Sequence, residues 1–169
     1  MKKILVAYAS KSGSTKEVAE VIGEVLTADN TEIYVRNIDS IANVIDYDCI
    51  VIGAPINGMR WMQDAVDFVG IHQSDLMYKP TAFFSLSYTV MLGRKMWKNQ
   101  IVKAFNIVSK QVPPVATATF GGKVDGELPG VMRFVFGVPK NTPGDQRDWA
   151  MIRDWATSVG TEFLKNDQK

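Results

Sequence analysis

One cysteine and one histidine are too few for a four-ligand zinc or iron–sulfur site, and a lone cysteine closes no disulfide within the chain. Cys49 lies in the apolar run Cys49–Ile52 and reads as a buried structural thiol. His72, beside Gln73-Ser74-Asp75, reads as solvated or helix-capping rather than catalytic. Charge of one sign is lacking as well. Lys and Arg number 19 against 18 Asp and Glu, a net charge of +1 that favours neither nucleic acid nor an anionic membrane over the whole molecule. No stretch reaches the ~18 apolar residues of a membrane span, and no apolar leader precedes the first strand-like segment, so the expectation is a cytoplasmic protein. Neither a G-x-G-x-x-G fingerprint nor the Gly-Lys-Ser/Thr of a Walker A loop occurs. No general acid–base set is visible: Asp145, Arg147, Asp148 and Asp154 read as charges at a helix start. Repeats and low-complexity tracts are missing too.

What is there is a globular balance, 46% hydrophobic and 22% charged over 169 residues, expected to form one domain spanning 1–169. Strand-like and helix-like segments alternate. Ile4–Ala7 and Cys49–Ile52 are continuous apolar runs, Thr31–Arg36 alternates like a strand nearer an edge, and Thr81–Ser87 and Val115–Phe120 are β-rich. Between them Val18, Ala19, Ile22, Val25 and Leu26 recur at helical spacing, as do Met62, Ala65, Val66 and Val69. Met96, Gln100, Lys103 and Val108 fall in a basic helical stretch, and Trp149, Ile152, Trp155, Ala156, Val159 and Phe163 define a last amphipathic helix. Five strands separated by helices predict an α/β fold, a parallel sheet covered on both faces. Ligands of such sheets sit beyond the carboxyl ends of the strands, so the loops after residues 9, 53 and 87 converge on one site. One segment breaks the alternation. Gly121–Gly144, punctuated by Pro129, Pro139 and Pro143, is an insertion after strand five, and its apolar run Val131–Phe136 is expected to be covered by the sheet edge, a second subunit or a bound substrate.

The most informative segment is Ser10-Lys11-Ser12-Gly13-Ser14-Thr15, set between the first strand and the first helix. Hydroxyls and free backbone N–H groups at a helix N-terminus converge on one point, and the helix dipole adds partial positive charge, so the loop suits a phosphate. A phosphate held mainly by hydroxyls points to a mononucleotide bound for long periods. An ordinary Ser/Thr N-cap is the alternative.

Three stretches carry a family resemblance. Lys2–Thr15 resembles the opening of flavodoxins, a short strand followed by Ser/Thr-x-Ser/Thr-Gly-x-Thr. Tyr47–Ile56 resembles that family's third strand and following loop, and Arg147–Ala156 the last helix of a branch that includes the quinone-coupled protoporphyrinogen oxidases. The resemblance implies a flavodoxin-like doubly wound sandwich holding FMN, its phosphate on Ser10, Lys11, Ser12, Gly13, Ser14 and Thr15. It implies one wall of the flavin site from Pro55, Ile56, Asn57, Gly58, Met59 and Trp61, with Trp61 either flanking the ring or anchoring the next helix. In that family a peptide of this loop flips on reduction, which Asn57-Gly58 tolerates. The second wall is Ser85, Leu86, Ser87 and Tyr88, with Tyr88 placed to stack on the ring. Gly121 and Gly122 let backbone approach the flavin edge; Trp97 and Arg60 are weaker candidates. Implied partners are redox proteins, ferredoxin-like or flavoenzyme, with a quinone as a further acceptor and a homodimer left open. Most flavodoxins are strongly acidic, and this chain is not. Small size and the missing acid–base set favour an electron carrier; the near-neutral charge and apolar insertion favour an FMN-dependent oxidoreductase of protoporphyrinogen oxidase or quinone reductase type. The carrier is the leading reading.

Overall fold

The computed structural model of the chain describes residues 1–57, 60–88, 103–124 and 129–165. Its strands are β1 (Lys2–Tyr8), β2 (Thr31–Asn37), β3 (Cys49–Asn57), β4 (Arg60–Trp61), β5 (Thr81–Ser87) and β6 (Ala116–Gly121). The order β2-β1-β3-β5-β6 is parallel throughout, and the two-residue β4 folds back antiparallel on β3. The alternating Thr31–Arg36 segment does lie at an edge. Helices are α1 (Ser14–Leu26), α2 (Gln63–Ile71), α3 (Gln73–Leu76), α4 (Asn106–Gln111), α5 (Gly130–Phe136) and α6 (Trp149–Lys165).

The continuous apolar runs follow from burial on both faces of the sheet. Ile4, Val6, Val51, Phe84 and Phe120 meet α1 and α6 on one face, through Ile22, Ile152, Val159 and Phe163. Leu5, Ala7, Ile50, Ile52 and Phe83 meet α2 and α4 on the other, through Ala65, Phe68, Val69 and Val108. The two sets alternate residue by residue along each strand, as the pleat requires. This is the doubly wound α/β sandwich predicted, with a small antiparallel ladder added.

β3 runs five residues beyond the predicted Ile52. Its pairing with β1 ends at Tyr8↔Gly53, but pairing with β5 continues to Pro55↔Leu86. Pro55 is tolerated because it lies past the end of β1, where no neighbour needs its missing N–H. A Cβ at Gly53 would lie 1.9 Å from Phe84 Cζ, so the close approach there requires glycine.

Trp149 sits differently from the sequence reading. Of the two readings of His72, solvated or helix-capping, the second holds: His72 is the C-cap of α2 and the N-cap of α3. It is buried at the α2–α3 junction with its ring 4.6 Å from that of Phe68, one helical turn earlier, and burial lowers its pKa. Trp149 does not join the core face of α6: it is partly exposed beneath the Arg147 guanidinium, 4.6 Å from its ring centroid. Cys49 is buried as expected. Of the basic helical stretch, Met96 and Gln100 lie outside the described residues, as does Trp97; Val108 is buried in α4.

The segment after β6 returns across the carboxyl end of the sheet. Lys123 and Asp145 form an antiparallel bridge, and Val131–Phe136 forms α5. That apolar run does not pack on the sheet edge: Val131 and Phe134 are both 77% exposed. No helix among the described residues is long and apolar enough to cross a membrane.

Candidate functional site

The carboxyl ends of β1, β3, β5 and β6 close around a cavity of about 190 Å³. The β1–α1 loop forms its floor. Gly13, at φ +88, is the helix N-cap in a left-handed conformation, which leaves the turn without a Cβ penalty. Its N–H donates to Ser10 Oγ at 3.0 Å, closing the loop on itself. No side chain caps α1. The hydroxyls of Ser12 and Ser14 lie 3.4 Å apart and line the cavity with Ser10, Lys11 and Thr15. An ordinary N-cap would bond one of those hydroxyls to a helix N–H, and that bond is not made here. Thr15 Oγ1 is buried and has no hydrogen-bond partner among the described residues. A buried orphan hydroxyl beside uncapped helix N–H groups fits a bound phosphate oxygen.

The other walls arrive from three strand ends. Pro55 and Ile56 come from β3, Leu86 and Tyr88 from β5, and Gly122, Lys123 and Val124 from β6. A Cβ at Gly122 would lie 2.8 Å from the Tyr88 backbone nitrogen, so these two exits touch only because residue 122 is glycine. Tyr88 Oη donates to the Pro143 carbonyl at 2.9 Å, which fixes its ring on the cavity wall.

Of the remaining sequence candidates, Trp61, Ser85, Ser87 and Gly121 are not brought to that wall. Trp61 is buried in the core, where Nε1 donates to the Ala54 carbonyl at 3.1 Å and its ring meets those of Phe83 and Phe105. Of its two predicted roles it takes the anchoring one. Ser85 shares a 2.8 Å hydrogen bond with Thr119 inside the sheet, and Ser87 is buried. Gly121 packs under the backbone of Gln146 rather than on the cavity. Asn57 ends β3 and pairs with Arg60, itself exposed. Gly58 and Met59 lie outside the described residues, so the predicted peptide flip does too.

Lys123, Val124 and Arg147 were not singled out as site residues from the sequence. Lys123 joins Lys11 on the cavity wall, and no carboxylate lines it among the described residues. Arg147 stands behind the loop. Its Nε and Nη2 donate side-on to Asp145 at 2.9 and 2.6 Å, and Nη1 donates to Glu17 at 2.8 Å. That geometry holds the Asp145 carboxyl below its usual pKa, chiefly through the Arg147 hydrogen bond. A depressed carboxyl stabilises the fold above its unfolded pKa, and the gain is lost as pH falls through the folded value. The stability difference between the parent and Asp145→Asn is therefore expected to stay constant above about pH 4 and to shrink below it. Urea unfolding across that range checks this.

A second cavity, of about 210 Å³, opens at the other end of the sheet between Leu26 and Phe163. Its walls are mainly apolar, and none of the strand-exit loops reaches it.

A flavodoxin domain family model matches residues 5–147 of the chain. A curated relative, protoporphyrinogen IX dehydrogenase [quinone] from Leishmania major, is 31% identical over 101 residues, which cover 57% of this chain and 42% of that protein. The match thus spans less than half the relative's length. Among solved structures, an oxidoreductase from Corynebacterium diphtheriae aligns with TM-score 0.64 at 13% identity, covering 98% of each chain. The two-electron reduced flavodoxin of Megasphaera elsdenii aligns with TM-score 0.60 at 16% identity, covering 94% of this chain and 98% of that one. The Fusobacterium nucleatum flavodoxin bound to flavin mononucleotide aligns with TM-score 0.58 at 14% identity, covering 98% and 99%. The structural likenesses carry the fold, and the match over residues 5–147 carries the family. The chain belongs to the flavodoxin domain family.

Proposed function

We propose that this flavodoxin-family chain is a single FMN-binding domain over residues 1–169 that carries electrons between redox proteins. The observation that carries the reading is the Thr15 hydroxyl, which is buried without a hydrogen-bond partner among the described residues, at a hydroxyl-lined cavity beside the start of α1. Ser10, Ser12, Ser14 and Thr15 would hold the phosphate, with Lys11 adding charge. Pro55, Ile56, Leu86 and Tyr88 would flank the ring, and Gly122 and Lys123 would face its edge. Bound FMN would supply one- and two-electron redox chemistry, and these residues would hold and orient it. By their sequence position after Ile56, Asn57, Gly58 and Met59 would extend the same side of the flavin site.

The test is direct. Purified protein should be yellow with one non-covalent FMN per chain, and stepwise reduction followed in the visible spectrum should show whether electrons enter singly or in pairs. Colourless protein that takes up no added FMN would end this reading.

A second reading, an FMN-dependent oxidoreductase acting on a quinone or a porphyrinogen, is favoured by two observations. Helix α5 exposes Val131 and Phe134, and the curated relative's name includes a quinone. Replacing both by Ser should change stability by no more than about 0.5 kcal/mol, because exposed side chains lose little burial. FMN binding should be unchanged. Electron transfer to a small redox protein should survive if the carrier reading holds, whereas selective loss of quinone reduction would move the assignment to the oxidoreductase.

A further inference from the structure

Four of the interactions behind the phosphate loop converge on one side chain. The Arg147 side chain is only 4% exposed, and its guanidinium lies over the Trp149 ring. Asp145 takes its Nε and Nη2; Nη1 reaches Glu17 at 2.8 Å and the Ser14 carbonyl at 3.4 Å. Ser14 and Glu17 both belong to the first turn of α1, the turn whose Ser14 and Thr15 line the cavity. Thr15 Oγ1, buried and without a partner among the described residues, marks where a ligand oxygen is wanted in that same turn.

Glu17 is the anomaly. A carboxylate in the first turn suits the helix dipole of the flavin-free protein, but it competes with any anion bound at the same helix end. Two like charges at one terminus repel unless one is neutralised. Arg147 supplies that neutralisation, and it cannot deprotonate. Lysine would not replace it, because the side-on pair with Asp145, the reach to Glu17 and the stacking on Trp149 need a planar fork.

We infer that Arg147 and Glu17 together set the site's preference for a phosphorylated over an unphosphorylated flavin, with Arg147 as a positioning residue that masks the Glu17 carboxylate and fixes the first turn of α1. This rests on the FMN reading above. It goes beyond it by assigning discrimination to two residues that lie outside the cavity wall.

The test compares dissociation constants for FMN and riboflavin, by flavin fluorescence, in the parent, Arg147→Met, Glu17→Gln and the double variant. Arg147→Met is expected to lower the riboflavin-to-FMN ratio by about threefold, because the Glu17 charge is then uncompensated at the helix terminus. Glu17→Gln should raise the ratio by about threefold, on the same scale for a single charge. The double variant should return the ratio to the parent's value or above it. A purely structural Arg147 would instead weaken both flavins equally, and removing Glu17 as well would recover nothing. If Arg147→Met does not fold, Glu17→Gln decides alone, since its side chain is half exposed: an unchanged ratio overturns the inference. A parent with no preference for FMN removes the underlying reading. A parent that has the preference, with four equal ratios, removes this inference alone.

Discussion

Replacing Thr15 by Val is expected to stabilise the flavin-free protein and to weaken FMN binding, two effects of opposite sign from one hydroxyl. Thr15 is 1% exposed and its Oγ1 has no hydrogen-bond partner among the described residues. Burying an unsatisfied hydroxyl costs about 1–3 kcal/mol, and Val keeps the shape without the polar atom, so the variant should gain about 1 kcal/mol. With FMN present the same oxygen would bond a dianionic phosphate. A hydrogen bond to a charged group contributes about 1.5–3 kcal/mol, so the FMN dissociation constant should rise roughly ten- to hundredfold. Adding Ser12→Ala should deepen the loss to several kcal/mol, though not additively, because both hydroxyls face one cavity. Riboflavin, which has no phosphate, should bind the variants as it binds the parent. Urea unfolding without flavin and fluorescence titration with each flavin measure the two signs. A variant less stable than the parent, or equal losses for FMN and riboflavin, would take Thr15 out of the phosphate site.

The hydroxyl-rich β1–α1 loop was legible because its signal is local: hydroxyls, one glycine, a strand before and a helix after. The sheet was legible because strands buried on both faces leave unbroken apolar runs, whereas the extension of β3 past Ile52 and the two-residue β4 were hidden. Trp61 was ambiguous for a physical reason. Sequence order puts it in a strand-exit loop, but the antiparallel pairing of β4 with β3 turns its side chain back into the core, where Ala54 and Phe84 carbonyls accept its N–H. The spacing of Phe68 and His72, one helical turn apart, did carry a signal that His72 packs against α2. Lys123 also had one, a cation directly after Gly121-Gly122 at a strand end. Arg147 had none. Its partner Glu17 lies 130 residues away, and nothing local announces an ion pair that only tertiary closure creates.

Gly121→Ala is expected to be the most destabilising single methyl that can be added near the site. An ideal Cβ at Gly121 would stand 1.8 Å from the Gln146 carbonyl oxygen and 2.6 Å from its carbon. These are backbone atoms, so no rotamer change relieves the clash; the 143–148 strap must move. That strap is tied down by Gln146 N–H to the Gly122 carbonyl at 3.0 Å, Val124 N–H to the Gly144 carbonyl at 2.9 Å, and Tyr88 Oη to the Pro143 carbonyl. Lifting it also pulls Arg147 from Glu17 and Ser14. Overpacking usually costs about 1–3 kcal/mol, and because these hydrogen bonds break as the strap lifts, the expected destabilisation in urea unfolding is about 3 kcal/mol. Gly130→Ala is the control: nothing among the described residues lies within 4 Å of its added Cβ, and it opens α5, so alanine there should be neutral or stabilising by up to about 1 kcal/mol. The result also separates two roles for Gly121. As a flavin-edge residue, the role implied by the family resemblance, its alanine variant would keep its stability and lose FMN. As the seat of the strap, it loses stability whether or not flavin is bound, with FMN affinity falling as a consequence of the displaced Arg147.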